Sequence, residues 1–160
     1  MNIRTATMAD LQAVAAVEAQ CFPIEEAATE AELAQRLTVY PSHFWLLFQG
    51  EDLVSVVDGM VTDEACLSDA MYEDASKHRE NGAWQMIFGV TTLPAYRKQG
   101  CAGILLRRVI ADARVQGRRG LVLTCKERLL HYYAGFGFVS QGRSPSVHGG
   151  SVWYEMRLSF

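Results

Sequence analysis

The stretch Phe88-Gly89-Val90, with Arg97-Lys98-Gln99-Gly100-Cys101-Ala102-Gly103 just downstream, decides how this chain reads. An apolar strand gives way to an Arg-x-x-Gly-x-Ala turn, and the turn opens a helix. Gly100 and Gly103 carry no side chain and Ala102 only a methyl, so successive backbone N–H groups can approach phosphate oxygens there. The helix start adds the positive end of its dipole. Ala102, Leu105, Leu106, Val109, Ile110 and Ala113 then recur at helical spacing, and Arg107, Arg108, Asp112 and Arg114 take the other face. Two readings of the turn stand side by side, a pyrophosphate cradle and an ordinary helix start. The spacing is neither the Gly-x-Gly-x-x-Gly of dinucleotide folds nor the Gly-Lys-Ser/Thr ending of a P-loop, which argues against NAD and ATP.

Arg97-x-x-Gly100-x-Ala102 after an apolar strand resembles the pyrophosphate-binding motif of the GCN5-related N-acetyltransferase (GNAT) superfamily. Leu129-Leu130-His131-Tyr132-Tyr133-Ala134-Gly135-Phe136-Gly137-Phe138 resembles the Phe/Tyr-Tyr-x-x-x-Gly-Phe signature that follows the next strand there. Stretches along nearly the whole chain are similar to the arylalkylamine (serotonin) N-acetyltransferase branch, in its microbial, non-vertebrate form. They are Glu18-Ala19-Gln20-Cys21-Phe22-Pro23, Asp52-Leu53-Val54-Ser55-Val56-Val57-Asp58-Gly59, the Arg97 turn, Leu121-Val122-Leu123-Thr124-Cys125-Lys126-Glu127 and the Tyr133 segment.

This resemblance implies a mixed α/β fold, with a central, mostly antiparallel sheet, two splayed parallel strands and flanking helices. It implies one acetyltransferase domain over residues 1–160. The splayed pair would be Trp84 to Val90 and Leu121 to Cys125. Acetyl-CoA is the implied co-substrate, bound by Phe88, Gly89, Val90, Arg97, Lys98, Gln99, Gly100, Cys101, Ala102 and Gly103. Backbone groups of Phe88 and Val90 would bond the pantetheine amides while Gly89 permits close approach.

Composition agrees with a soluble enzyme domain. A 160-residue chain buries roughly 70% of its unfolded surface. With 49% hydrophobic and 21% charged residues, no segment approaches the ~20 apolar residues of a membrane span. The opening Met1-Asn2-Ile3-Arg4-Thr5-Ala6 lacks a signal-peptide core, so a cytoplasmic location is expected. Cys21, Cys66, Cys101 and Cys125 form no Cys-x-x-Cys pair and the histidines no ligand spacing, so neither metal nor disulfides are expected. Cys125 reads as a buried small hydrophobe or a nucleophile near His131, and Cys101 as a filler or a reactive thiol at a helix start.

The net charge of −3 argues against nucleic acid as a partner. Nine of the fifteen Lys and Arg nevertheless lie between Arg97 and Arg128, against Asp112 and Glu127 alone. That basic run suits coenzyme phosphates, and a solvated helix face reads equally for Arg114, Arg118 and Arg119. Asp58, Asp63, Glu64, Asp69, Glu73 and Asp74 precede Lys77 with no basic residue among them, an acidic loop that attracts a cationic amine or is simply solvated.

The pattern further predicts a short strand at Ile3-Arg4 and helices opened by capping boxes at Thr7-x-x-Asp10 and Thr29-x-x-Glu32. In the first helix Leu11, Val14, Val17 and Cys21 share a face. Phe44 to Phe48 and Leu53 to Val57 read as a hairpin, and Phe136 to Val139 and Val152 to Leu158 as closing strands.

Acyl transfer from a thioester needs a deprotonated amine and an acid for the departing thiolate. Tyr133 is the candidate acid: a phenol with a pKa of about 10 stays protonated at neutral pH, and the resemblance puts it at the family's tyrosine position. Tyr132 lies about 100° around the helix and reads as packing. Vertebrate members of the branch carry two histidines on the strand before the turn; the matching residues here, Trp84 and Met86, accept no proton. His78, Glu80, His131 and His148 read as surface or turn residues, and the proton acceptor stays unassigned. Trp84 and Met86 line an acceptor pocket or fill the core, and Phe22-Pro23 forms a pocket wall or ends the helix. The expected reaction is direct acetyl transfer to a small primary amine, with an arylalkylamine favoured and a monomeric enzyme. Polyamine or protein N-terminal acetylation and a non-catalytic acyl-CoA sensor are the alternatives.

Overall fold

The first helices begin where the sequence supplies their caps. Residues 1–160 are described in a computed structural model. After β1 (Asn2–Thr5), the Thr7 N–H donates to Asp10 Oδ2 at 2.8 Å, and a 3-10 turn runs into α1 (Leu11–Cys21). Thr29 and Glu32 satisfy one another at 3.0 and 3.1 Å to open α2 (Glu30–Val39). Of the predicted α1 face, Val14 and Val17 are buried while Leu11 and Cys21 are half-buried. The hairpin is β2 (Phe44–Gln49) with β3 (Asp52–Asp58), closed over Gly50-Glu51.

The strand expected from Trp84 to Val90 is two strands. β5 (Trp84–Ile87) pairs in parallel with β7 (Gly120–Cys125), from Trp84 opposite Gly120 to Ile87 opposite Leu123. After Phe88 the chain changes sheet, and β6 (Gly89–Thr92) pairs antiparallel with β3, Gly89 opposite Asp58 and Thr92 opposite Ser55. The remaining elements are β4 (Val61–Thr62), α3 (Asp69–Glu73), α4 (Cys101–Val115), α5 (Leu130–Ala134), β8 (Val139–Arg143) and β9 (Tyr154–Ser159). One sheet has the order β1-β2-β3-β6 and the other β4-β5-β7-β9-β8; every pair except β5–β7 is antiparallel. This is the mixed α/β architecture the sequence implied.

The chain divides into two units. The first comprises Met1–Gly59 and Gly89–Val109 and holds the four-stranded sheet, α1, α2 and the start of α4. Val14, Val17, Leu33, Leu37, Phe44, Leu46, Leu105 and Leu106 are buried in it. The second comprises Met60–Phe88 and Ile110–Phe160, with the five-stranded sheet, α3, α5 and the end of α4. Its buried residues include Val61, Met71, Met86, Leu121, Val122 and Met156. No helix is long and apolar enough to cross a membrane.

Three sequence expectations change. Phe136-Gly137-Phe138 is a turn after α5, and β8 starts at Val139. The acidic residues do not form one loop. Asp58 ends β3 and is buried, Asp63 accepts from the Ala83 N–H, Asp69 accepts from the Ser146 hydroxyl and the Val147 N–H, and Asp74 caps Ser76. Most of these carboxylates satisfy backbone groups of their own unit, which is why they cluster in sequence without making one field. Arg118 is buried rather than solvated, its guanidinium donating to the Glu80 and Gly82 carbonyls at 2.7 and 2.8 Å.

Gly120 sets the spacing of β5, β7 and β9. A Cβ there would lie 1.9 Å from the Leu158 carbonyl oxygen and 2.9 Å from the Trp84 ring. The backbone atom cannot yield as a flexible side chain would. Gly120→Ala is expected to cost at least about 3 kcal/mol and lower the melting temperature by roughly 6–12 °C. Gly117→Ala, which meets nothing within 4 Å, is expected to cost about 1 kcal/mol for its φ of +79° alone. Calorimetry of the two variants checks the contrast.

Candidate active site

β6 is an edge strand of the first unit, and its last residue leads through a 3-10 turn at Pro94–Tyr96 into Arg97. In the turn that follows, Lys98 has a φ of +62° and Gly100 of +80°. Lys98 is the only non-glycine residue with positive φ, a conformation that costs energy and is retained where the backbone has a task. Gly100 is the N-cap of α4: its carbonyl accepts from the Ile104 N–H at 3.0 Å. The amides of Cys101, Ala102 and Gly103 therefore open the helix with no preceding helical carbonyl. A Cβ on Gly100 would meet nothing within 4 Å, so the space beside the start of the helix is open at that residue. The Cys101 side chain is 2% exposed and turns into the core, so it enters the turn as backbone rather than as a reactive thiol.

The C-terminal end of α1 lies along β6. The Cys21 thiol and Arg97 Nε both donate to the Thr92 carbonyl, at 3.3 and 3.2 Å. At the other end of the strand, the Cβ position of Gly89 lies 3.1 Å from Asp58 Oδ1, 3.8 Å from Glu18 Oε1 and 3.8 Å from the Phe22 ring. Both carboxylates are held by their second oxygen. Glu18 Oε2 accepts from the Ala28 N–H at 2.9 Å, and Asp58 Oδ2 from Arg36 at 3.3 Å. Burial pushes the Asp58 carboxyl upward against the pull of Arg36. Glu18 keeps some exposed surface, yet protein atoms crowd its carboxyl group. Burial, helped by the Asp58 charge, pushes it up to about 7 against the pull of the Ala28 N–H and Arg36.

The sequence offered Phe22 as a pocket wall or a helix end and Asp58 as part of an acidic loop, and it singled out neither Glu18 nor Arg36. The signal available for Glu18 was its position inside a stretch quoted for the resemblance; nothing local marked Arg36. Pro23 is exposed beyond α1, and its carbonyl accepts from the Glu26 and Ala27 N–H groups at 2.9 Å, which makes it part of the turn.

In the second unit, Tyr133 lies on α5, 7% exposed, and burial pushes its phenol above the ordinary tyrosine value. Tyr132 is 41% exposed, with its ring edge-on to Tyr133 at 5.1 Å. Cys125 is buried and its thiol is pushed up to about 11 by that burial, so it is no thiolate nucleophile at neutral pH. Met86 is fully buried, which decides for its core reading, and Trp84 sits at the end of β5 away from Phe88, under the Arg157 guanidinium. A strand alternates its faces, and here the face of Met86 packs inward.

A group of half-buried rings that the sequence did not single out surrounds Phe88 instead. Tyr72 lies 4.7 Å from Phe88 and stacks on His148 at 4.9 Å, and its hydroxyl is 3.1 Å from that of Thr124. Trp153 follows at 6.1 Å from His148 and donates through Nε1 to the His148 carbonyl. His78 is committed elsewhere: Nδ1 accepts from the Val61 N–H, and Nε2 faces Glu80 at 2.9 Å.

The first unit thus has an edge strand that leads into a left-handed turn at a helix N-terminus, and a family model for the acetyltransferase (GNAT) domain matches residues 2–140. The chain belongs to the GNAT acetyltransferase family. Its fold is similar to the GNAT-like decarboxylase GphF in complex with isobutyryl-CoA, with a TM-score of 0.85 at 24% identity over 99% of both chains. The ribosomal-protein-S18-alanine N-acetyltransferase from Escherichia coli gives 0.74 at 16% identity, over 99% of this chain and 92% of that one. Naa20 from Chaetomium thermophilum, in complex with a bisubstrate analogue, gives 0.73 at 16%, over 100% and 87%. None of these neighbours singles out the arylalkylamine branch.

The raised Glu18 carboxyl has a consequence for stability. The unfolded chain releases this proton near the ordinary 4.5, whereas the folded protein holds it to about 7. Stability is thus unaffected below about pH 4, falls as pH rises from about 4.5 to 7, and levels off above. Glu18→Gln, which keeps an acceptor for the Ala28 N–H, is expected to be more stable than the parent at pH 8 by about 2–3 kcal/mol and no more stable at pH 4. Urea denaturation at the two pH values checks it.

Proposed function

We propose that the chain transfers an acetyl group from acetyl-CoA directly to a small primary amine. The observation that carries this reading is the turn from Arg97 to Gly103, where left-handed Lys98 and Gly100 precede the open amides of α4 at the end of an edge strand. Successive amides in such a turn form an anion nest, and the helix dipole adds to it. The exposed Arg97, Lys98, Arg107 and Arg108 supply positive charge around a polyphosphate. The outer edge of β6 suits an extended arm with amide groups, paired as an added strand. In this reading Tyr133 donates a proton to the departing sulfur. Its raised phenol stays protonated throughout the working pH range.

The half-buried rings of Tyr72, Phe88, His148 and Trp153 favour an aryl group on the amine, because flat rings bury large area against one another at little entropic cost. Peptide N-termini are the competing acceptor, a reading supported by the ribosomal-protein-S18-alanine N-acetyltransferase among the similar structures. Thiol release from acetyl-CoA with tryptamine, phenethylamine, spermidine and an alanine-initiated peptide decides between them. Turnover of the first two is expected to exceed the others by at least tenfold. Preference for the peptide replaces the aryl acceptor, and acetyl-CoA binding without any turnover removes the transferase.

Two variants probe the coenzyme half and the acid. Gly100→Asp puts a like charge into open space at the turn, at a strain cost of about 1 kcal/mol for its φ of +80°, and is expected to weaken acetyl-CoA binding at least tenfold by calorimetric titration, with the fold retained. Tyr133→Phe is expected to lower kcat about 100-fold while leaving acetyl-CoA affinity within twofold.

A further inference from the structure

A proton acceptor for the amine has to combine partial burial with an oxygen or nitrogen that the fold does not engage. His78 is spent on Val61 and Glu80. His148 is stacked against Tyr72. In the first unit, the end of α1 and the end of β3 bring two carboxylates to the same face of Gly89, Glu18 Oε1 at 3.8 Å and Asp58 Oδ1 at 3.1 Å from its Cβ position. The Arg36 guanidinium accompanies them, bonded to Asp58 Oδ2 at 3.3 Å. Glu18 Oε1 faces the Gly89 position and suits a small group carrying a positive charge.

We infer that Glu18 is the general base of the reaction: its Oε1 receives the acceptor as an ammonium ion beside Gly89 and takes a proton from it, while Asp58 and Arg36 position and polarise it. The inference rests on the acyltransferase reading above and names the residue that reading lacks.

The geometry separates the roles. Glu18 has its Oε2 fixed by the Ala28 N–H, so the carboxylate plane is set and Oε1 is aimed. Asp58 is buried and bonded to Arg36 at 3.3 Å, which fixes where it sits beside Glu18. The groups facing Glu18 are Asp58 on β3, Arg36 and Glu32 on α2, and the Ala28 amide on the intervening loop, with Cys21 one turn further on α1. A base that titrates near neutrality is largely ionised at the working pH and still basic enough to accept a proton.

The protons balance as follows. The ammonium gives one proton to Glu18, and the amine nitrogen attacks the thioester carbonyl carbon. The N–C bond forms, the C–S bond breaks, and the sulfur leaves with the electron pair. The nitrogen loses its second proton to solvent as the amide forms, and Tyr133 protonates the thiolate and is reprotonated from solvent, so that one proton is released per turnover. Glu18 returns its own proton to solvent.

The test compares the parent, Glu18→Gln and Glu18→Asp, using tryptamine or, where it turns over faster, spermidine, with kcat and kcat/KM measured from pH 5.5 to 9.5. The parent kcat/KM is expected to rise through a step near pH 7. Glu18→Gln is expected to lose that step and at least 100-fold in kcat, with acetyl-CoA affinity within twofold, whereas Glu18→Asp keeps a step at reduced rate. In the free protein, the carbon-13 carboxyl signal of Glu18 is expected to titrate near 7 and to shift on addition of the amine, a readout that needs no turnover. A Glu18→Gln enzyme within about twofold of the parent, with the same pH profile, overturns the inference and leaves the acyltransferase reading intact. A carboxyl signal that titrates near 4.5 also overturns it. A parent that does not bind acetyl-CoA overturns both.

Discussion

The absence of a side chain at residue 89 is the constraint on which the first unit depends. Gly89 starts the strand at the point where the chain changes sheet, and it pairs with Asp58 at the end of β3. A Cβ there would lie 3.1 Å from Asp58 Oδ1 and in ordinary contact with Glu18 and Phe22 at 3.8 Å, groups that come from a strand, a helix and that helix's C-cap. Arg36 reaches the same place from α2, so one buried pair ties two helices and two strands around the first residue of β6. A buried ion pair of this kind adds little net stability, because desolvation offsets most of its attraction; its value is in fixing where each partner sits. An alanine here would lie 3.1 Å from Asp58 Oδ1, so that carboxyl must yield by a few tenths of an ångström.

What the sequence made legible follows physical locality. The capping boxes at Thr7 and Thr29, the hairpin around Gly50 and the buried stripe of α4 are decided within a few residues, and all form as read. The turn from Arg97 was legible for the same reason, since glycine content and helix periodicity adjoin there. The change of sheet at Phe88 was not, because pairing partners are chosen across the chain and an apolar run looks alike on either sheet. Asp58 shows the limit most clearly. In sequence it heads an acidic run; in space it is opposite Gly89 and bonded to Arg36, a residue 22 positions earlier. Met86 shows the opposite case: its family position left a pocket and a core reading open, and its full burial favours the core.

The proposed chemistry assigns opposite demands to two environments, each built within one unit. Tyr133 is surrounded by apolar and aromatic groups, with no cation among the causes of its shift, so burial keeps its proton in place. Glu18 is crowded but tied to an amide and lies near Arg36, so its shift stops near neutrality. Two titrating groups pushed to different heights by their surroundings are what an acid and a base working at one pH require. Cys125, raised by burial alone, falls on the inert side of that division, consistent with direct transfer instead of an acyl-cysteine.

A crystal structure with a conjugate joining coenzyme A to tryptamine through an acetyl bridge tests the central claim most directly. The expected result has pyrophosphate oxygens within about 3.2 Å of the amides that open α4 and the tryptamine nitrogen within about 3.2 Å of Glu18 Oε1, directly or through one water. A pyrophosphate bound away from the Arg97 to Gly103 turn, or a nitrogen remote from Glu18 with no connecting water, would contradict it.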